Sequence, residues 1–258
     1  MPTSPYHPGE LEMQQRTGEE IPAYRNSRII VPYIATGVVK YMETQPFVVV
    51  SSQDGQGRLW TSILSGADGY VKVRDEETIS LDRSLLYSNP EDRFWNNIGR
   101  HPFVGMLFID FATRRRYRVN GPVREVGGNV LVSVRQAYIN CPKYISRRTL
   151  ARGGGKPGYG GGFTRGNVLT QELGQWIGAA DAFFVGSSNG AGDLDASHRG
   201  GNPGFVEVLD ATTLRVPDYE GNSMYNTLGN FLQYPKAGLL FVDFTEKRTL
   251  QLTGTASV

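Results

Sequence analysis

NGAGDLDASHRGGNPGFVEVLDATTLRVPDYEGNSMYNTLGNFLQYPKAGLLFVDFTEKRTLQLTG, residues 189–254, decides the fold, because the chain says most of it twice. A shift of 135 residues lays Ser51–Leu81 over Gly186–Val216 without a gap. Gly55, Gly57, Leu59, Ser62, Gly66 and Gly69 then meet Gly190, Gly192, Leu194, Ser197, Gly201 and Gly204. After a two-residue slip, HPFVGMLFIDFATRRRYRVNG (101–121) lies over YPKAGLLFVDFTEKRTLQLTG (234–254). Self-similarity at this scale means two copies of one structural unit.

Within the first copy RLWTSIL, YVKVRD, TISLD, VGMLFIDF and RRYRVNGPV read as strands, and the second copy is expected to hold the same set. The turns between them, Asp-Gly, Asn-Gly-Ala-Gly and Gly-Gly-Asn-Pro, suit hairpins and sharp bends. Short strands, tight turns and few helices predict a mainly β fold of antiparallel barrels or sandwiches. GMLFIDF is nearly all apolar, as in a central strand buried on both faces. Each copy begins with a helix, over Ile34–Glu43 and through Leu173, Trp176 and Ile177, and inserts another in 88–102 and 222–235. GELEMQQRTGEE (9–20) is helical in pattern but too poor in apolar residues for a core helix, so it reads as a packing arm. Past Gly121 the first copy runs on through PVREVGGNVLVSVRQAYINCPKYISRR, a further strand and a basic helix. The second copy stops at Val258 inside its expected last strand pair, so the expectation is either a naturally shorter second unit or, the favoured reading, the front part of a longer polypeptide.

With 258 residues, 39% hydrophobic, 20% charged and a net charge of +2, the chain can bury a core in each copy. Its composition is neither that of a disordered chain nor that of a polyanion binder. One cysteine, Cys141, excludes an intrachain disulfide and suits a reducing compartment. With no signal peptide and no run of roughly 20 apolar residues, the expectation is a cytoplasmic protein without nucleic-acid or membrane partners. Eight of the seventeen residues in 151–167 are glycine, so this stretch reads as a linker between an N-terminal unit, 1–150, and a second, 168–258. It is no phosphate loop, since Lys156 is followed by Pro rather than Ser or Thr.

Candidate chemistry is sparse. His7, His101 and His198 show no metal-ligand spacing. Cys141 has no histidine beside it and reads as a small buried residue. Asp110 and Asp243 occupy equivalent repeat positions after an apolar strand, which points to a structural task such as bonding a turn backbone. Polar density concentrates in the second copy. Ser197-His198-Arg199 stands where the first copy has Ser62-Ile63-Leu64, and the segment Asp218–Asn230 follows a strand and opens a helix. Two readings of that helix start are open: its free backbone N–H groups receive a phosphate, or Asn222 or Asn226 merely caps it.

The order GxxGFVxVLD, TLRVPDYEGN, NTLGNxLxxPKAGLLFVDF and RTLQLTG resembles the pyridoxamine 5'-phosphate oxidase-like family, the FMN-binding split barrels. It is closest to a branch with a YHPGELEMQQRTG-like arm and an NCPKYIxRR helix between two barrel units. The resemblance implies two tandem split β-barrel units with FMN in a groove between barrels. Those barrels usually come from a dimer; here two copies in one chain, or a homodimer, would supply them. It further implies an oxidoreductase acting on a small-molecule substrate or electron donor, with a reductase domain or partner to feed it. By position it places Ser197, His198 and Arg199 near the flavin ring, Asn222, Asn226, Thr227 and Asn230 at the phosphate segment, and Arg248 and Gln251 on the closing strand. Where the oxidase has an Arg-Lys pair for the phosphate this chain has Asn226-Thr227, so Lys143 and Arg147, or Arg114 to Arg116, are the candidate cations. His198 is the candidate catalytic residue, a proton donor or ring partner titrating near neutrality. The alternatives are a cofactor-less docking module of a larger redox protein and, third, haem handling.

Overall fold

A computed structural model describes residues 4–87, 89–150 and 162–258, so most of the expected linker, 151–161, lies outside the described residues. The chain opens with helices α1 (Pro8–Thr17), α2 (Glu20–Asn26) and α3 (Val39–Glu43). The last is shorter than the sequence predicts. Ile34 donates its N–H to Glu76 O at 2.7 Å, which holds the chain extended there, and a single 3-10 turn (Thr36–Val38) precedes the α-helix.

The first barrel follows as β1 (Phe47–Gln53), β2 (Leu59–Ser65), β3 (Val71–Asp75), β4 (Thr78–Asp82), α4 (Arg93–Ile98), β5 (Phe103–Asp110), β6 (Arg115–Val126), β7 (Asn129–Ser133) and β8 (Gln136–Asn140). All pairings are antiparallel in the order β2-β1-β5-β6-β7-β4-β3, with β8 also on β6. The sheet curls because β6, twelve residues long, divides its partners, giving Arg116–Asn120 to β8 and Val123–Val126 to β7. Side-chain alternation does the rest. Val48, Val50, Val104, Met106 and Phe108 face the barrel interior with Ile34, Met42 and Phe94, while Phe47, Val49, Leu107 and Ile109 face outward. That outward set is not solvated, for it packs against Phe184, Ala196 and Leu240 of the second unit. β5 is therefore buried on both faces, as its apolar run requires.

The second unit comprises α5 (Gln171–Ala179), β9 (Ala182–Ser188), β10 (Leu194–Gly200), β11 (Glu207–Val208), β12 (Leu214–Arg215), α6 (Asn226–Gln233), β13 (Lys236–Asp243) and β14 (Arg248–Thr255). Its sheet runs β10-β9-β13-β14. The architecture is thus mainly β with few helices, two tandem split-barrel units. Two expectations are corrected. The counterparts of YVKVRD and TISLD shrink to β11 and β12, a two-stranded ribbon, because β4 has β7 as its partner and β12 has no such neighbour among the described residues. The basic helix over NCPKYISRR does not form. Pro142 lacks an N–H and Tyr144 sits at φ 61, so the segment after β8 stays irregular. Asp110 and Asp243 do bond turns, accepting from the N–H of Ala112 at 2.9 Å and of Thr245 at 3.0 Å.

The two units meet around a pseudo-twofold axis that the repeat numbering exposes. His101 Nε2 lies 2.9 Å from Gly192 O, and at the equivalent positions Tyr234 Oη donates to Gly57 O at 2.8 Å. Asn97 donates to Ser52 Oγ and Asn230 to Ser187 Oγ, at 2.9 and 2.8 Å. The sheets approach so closely that a Cβ on Gly105 would lie 2.6 Å from Asp195 Cα, and one on Gly238 the same 2.6 Å from the Leu59 carbonyl carbon. The arm is more deeply seated than its composition suggests. α1 lies across α6, with Glu10, Met13 and Gln14 buried, and a Cβ on Gly9 would meet Gly229 O at 2.1 Å. No helix among the described residues is long and apolar enough to cross a membrane.

Gly105→Ala is expected to lower stability by about 1–3 kcal/mol or more, since backbone rather than a flexible side chain stands in the way. Gly254→Ala, into open space, should stay within about 0.5 kcal/mol of the parent. Denaturant midpoints compare the two, and equal midpoints would refute the close sheet contact.

Candidate functional site

A cleft opens between the units, walled by β6 and the residues after β8 on one side and by β10, the loop 217–225 and the start of α6 on the other. It encloses about 110 Å³, well beyond the ~10–15 Å³ that one water needs. Strand alternation aims the polar residues into it: Tyr117 and Val119 enter the first barrel's core, so Arg116 and Arg118 point the other way, toward β10.

Arg118 is the centre of the buried network. Its Nε lies 2.8 Å from Asp195 Oδ1 and donates to Ala196 O at 3.1 Å. Its Nη1 donates to Tyr138 Oη at 2.7 Å and to Asn226 Oδ1 at 3.0 Å, and its Nη2 to Ser197 Oγ. Ser197 in turn donates to Asp195 Oδ2 at 2.9 Å and accepts from Thr227 Oγ1 at 3.1 Å. Asn226 passes its amide N–H to the Glu10 carboxylate from α1. Burial opposes the Arg118 charge, but Asp195 and Tyr138 more than offset it and hold its pKa above the ordinary arginine range.

Arg116 is different. It donates to Cys141 O, its Nε is buried without a partner, and no carboxylate among the described residues pairs with it. Burial, then the nearby Arg118 and Arg199, pull its pKa down to about 10, so it remains cationic at neutral pH. His198 lies 3.5 Å away at Nδ1, edge-on to Phe111 and Phe184, with Nε2 buried and unpartnered. Burial and then Arg116, Arg199 and Arg148 drive its pKa well below 6.5. The expectation that His198 titrates near neutrality is therefore corrected: it is a neutral imidazole, able to offer one N–H and one lone pair. At the mouth, Lys143 pairs with Glu220 at 2.9 Å and Tyr144 stacks on Tyr219 at 5.0 Å, linking the two walls.

The start of α6 closes one of the two readings left open by the sequence. Its N-cap residue is Tyr225, left-handed at φ 59, and no side chain caps the helix. Asn222 instead accepts from Met224 N at 3.3 Å, and Asn226 is engaged with Arg118 and Glu10. Plain capping by either asparagine is excluded, and the uncapped first turn lines the cleft through Asn226, Thr227 and Leu228.

Of the residues singled out in the sequence, Ser197, His198, Arg199, Asn222, Asn226, Thr227 and Lys143 line the cleft. Asn230 stands behind it, bonded to Ser187, and Arg147 is exposed outside it. Arg248 pairs with Glu172 and Asp243 over Trp176, and Gln251 reaches Thr61 O, Ser62 Oγ and Asp92, on the opposite side of the pseudo-axis. The reason is topological. Each unit's long strand crosses the other unit, so the wall over β10 is the first copy's β6 and not β14. Sequence reasoning missed Arg118, Asp195, Tyr138 and Glu10. Arg118 aligns with Gln251 in the repeat, and exchanging the two closing strands would have found it.

No protein-family model and no curated protein matches the sequence. Among solved structures the chain is distantly similar to HupZ of Group A Streptococcus, at 13% identity and a TM-score of 0.33 over 41% of this chain and 93% of that one. It is also similar to a Lactobacillus delbrueckii protein provisionally named a pyridoxamine 5'-phosphate oxidase, at 12% identity and a TM-score of 0.34 over 42% and 95%. The corresponding figures for an F420 reductase are 14%, 0.29, 40% and 95%.

Glu10 supplies a pH test of the network. Burial foremost raises its pKa from 4.5 to about 7, against the hydrogen bonds of His7 N–H and Asn226, with Asp195 raising and Arg118 lowering it further. Because the folded value lies above the unfolded one, Glu10 contributes stability that is complete below about 4.5 and lost as pH rises through about 7. The full effect is about 3 kcal/mol. Glu10→Gln should therefore flatten this part of the stability profile, gaining on the parent as pH climbs. Parallel melting curves across that window would disprove the assignment.

Proposed function

We propose that the cleft binds a flavin mononucleotide by its phosphate and that the protein is a flavin-dependent oxidoreductase. The observation that carries this reading is that an uncapped helix start and a cation, Arg116, which pairs with no carboxylate among the described residues, line one cleft. Backbone N–H groups plus a guanidinium form a donor set suited to a phosphate dianion. Tyr225 and Ser223 both hold left-handed backbones, at φ 59 and 61, which places conformational strain beside the cleft, where binding sites tend to store it. The motif resemblance to the FMN-binding split barrels points to the same ligand.

A bound flavin would supply hydride or single-electron chemistry. The chain's own residues do the rest. Arg116 places fixed positive charge where negative charge gathers, and the half-buried walls strengthen it by keeping water back. Neutral His198 offers a hydrogen-bond donor or acceptor but no acid at neutral pH. Arg118, saturated by its own partners, holds Ser197 and Asn226 in place. The reading calls for a small-molecule substrate and for an electron donor, delivered by diffusion or by a reductase partner.

Purified protein should show the visible absorbance of flavin, as isolated or after FMN addition, and release FMN on denaturation. Arg116→Gln should weaken FMN binding roughly 10- to 100-fold, the worth of a charged hydrogen bond. In flavin-free buffer it should cost no more than about 1 kcal/mol, since the hydrogen bond to Cys141 O is lost but no carboxylate loses its partner. Protein that stays colourless and never takes up FMN would sink the flavin reading in favour of a docking module.

A further inference from the structure

The repeat makes a second cleft arithmetically available, and its residues show what became of it. Moving each cleft residue to its equivalent turns Arg116 into Thr249, Arg118 into Gln251, His198 into Ile63, Arg199 into Leu64, Asp195 into Trp60 and Tyr225 into Asp92. The geometry is kept while the chemistry is exchanged. Arg118 bonds Ala196 O and Ser197 Oγ, and Gln251 bonds Thr61 O and Ser62 Oγ, the same atoms one repeat away. Where the helix α6 starts open, α4 starts closed: the Asp92 carboxylate accepts from Phe94 N at 2.8 Å, Ser62 Oγ at 2.6 Å and Gln251 Nε2 at 3.2 Å. Trp60 fills the place of Asp195, with the Arg93 guanidinium over its ring at 5.3 Å. Ser62, Asp92 and Gln251 take no part in lining the open cleft.

We infer that the chain takes one anionic cofactor, not two, because its mirror position is permanently occupied by the Asp92 carboxylate, which satisfies the donors that a ligand's anion would otherwise meet. This rests on the flavin reading of the open cleft and adds to it a division of labour: the second copy's β10 and α6 receive the ligand, and their first-copy counterparts, β2 and α4, are sealed and structural. The exchange replaces Arg116, His198 and the open helix start together, and the cation it brings in, Arg93 in the place of Asn226, lies over the Trp60 ring.

Equilibrium titration of the full chain with FMN, followed by absorbance and by flavin recovered after gel filtration, decides it. Saturation at one equivalent per chain is expected, with Arg116→Gln weakening that whole equivalent and leaving no tight fraction behind. Two equivalents in the parent overturn the inference while the flavin reading stands, as does a full tight equivalent persisting in Arg116→Gln. No binding at all in the parent defeats both. The parent titration alone separates one equivalent from two and from none, so the test survives a variant that folds poorly.

Discussion

The ion pair between Arg118 of β6 and Asp195 of β10 is the constraint on which the rest depends. Both side chains are almost fully buried, 4% and 5% exposed, and they come from different units. Removing two such ions from water costs several kcal/mol each, so their attraction is not a clear source of net stability. It is tolerated because Arg118 meets acceptors on Ala196, Tyr138, Asn226 and Ser197 as well. Loss of either partner strands the other, at about 3–5 kcal/mol. The pair therefore fixes register: β6 cannot slide along β10 without abandoning a buried charge. Gly105, which brings the backbone of β5 against Asp195, makes that closeness sterically available.

From this contact the cleft inherits its unequal charges. Arg118 is spoken for, whereas Arg116 pairs with no carboxylate among the described residues. Because β6 alternates, both arginines leave the barrel on the same face, two residues apart, one held in an ion pair and the other bonded to a backbone carbonyl. The neutral His198 follows first from burial and then from the same crowding, since a further positive charge among Arg116, Arg199 and Arg148 is unfavourable. A duplicated frame has thus been used asymmetrically, with polar and charged side chains retained along only one of two equivalent seams.

Much of this was legible in the residues. The repeat offset gave two units, the apolar run of β5 gave a strand buried twice over, and the contrast of Ser197-His198-Arg199 with Ser62-Ile63-Leu64 located the polar half. What failed did so for local reasons. NCPKYISRR carries helical charge spacing, but Pro142 and the left-handed Tyr144 override it. The ribbon of β11 and β12 is short because a strand needs a neighbour, and propensity cannot report whether one arrives. That Arg248 and Gln251 lie away from the cleft was not legible, because sequence order says nothing of which unit a strand leans on. Glu10 and Gln14 look like surface residues of a polar helix, and only the Gly9 and Gly229 contact shows that α1 is pressed against another helix.

That contact also bears on the order in which the molecule assembles. Glu10 and Asn226 are 216 positions apart, and Arg118 and Ser197 are 79 apart, so the cleft is built from some of the most distant pairings in the chain. Closing such long loops comes late, because their entropy is lost before their contacts are gained. The first barrel, with its own interior, is positioned to form early, whereas the cleft, walled by both units, can close only after the second unit has condensed against the first. The cleft is then a report on completed folding, and a chain arrested before its two units dock would hold its sheets but no finished cleft.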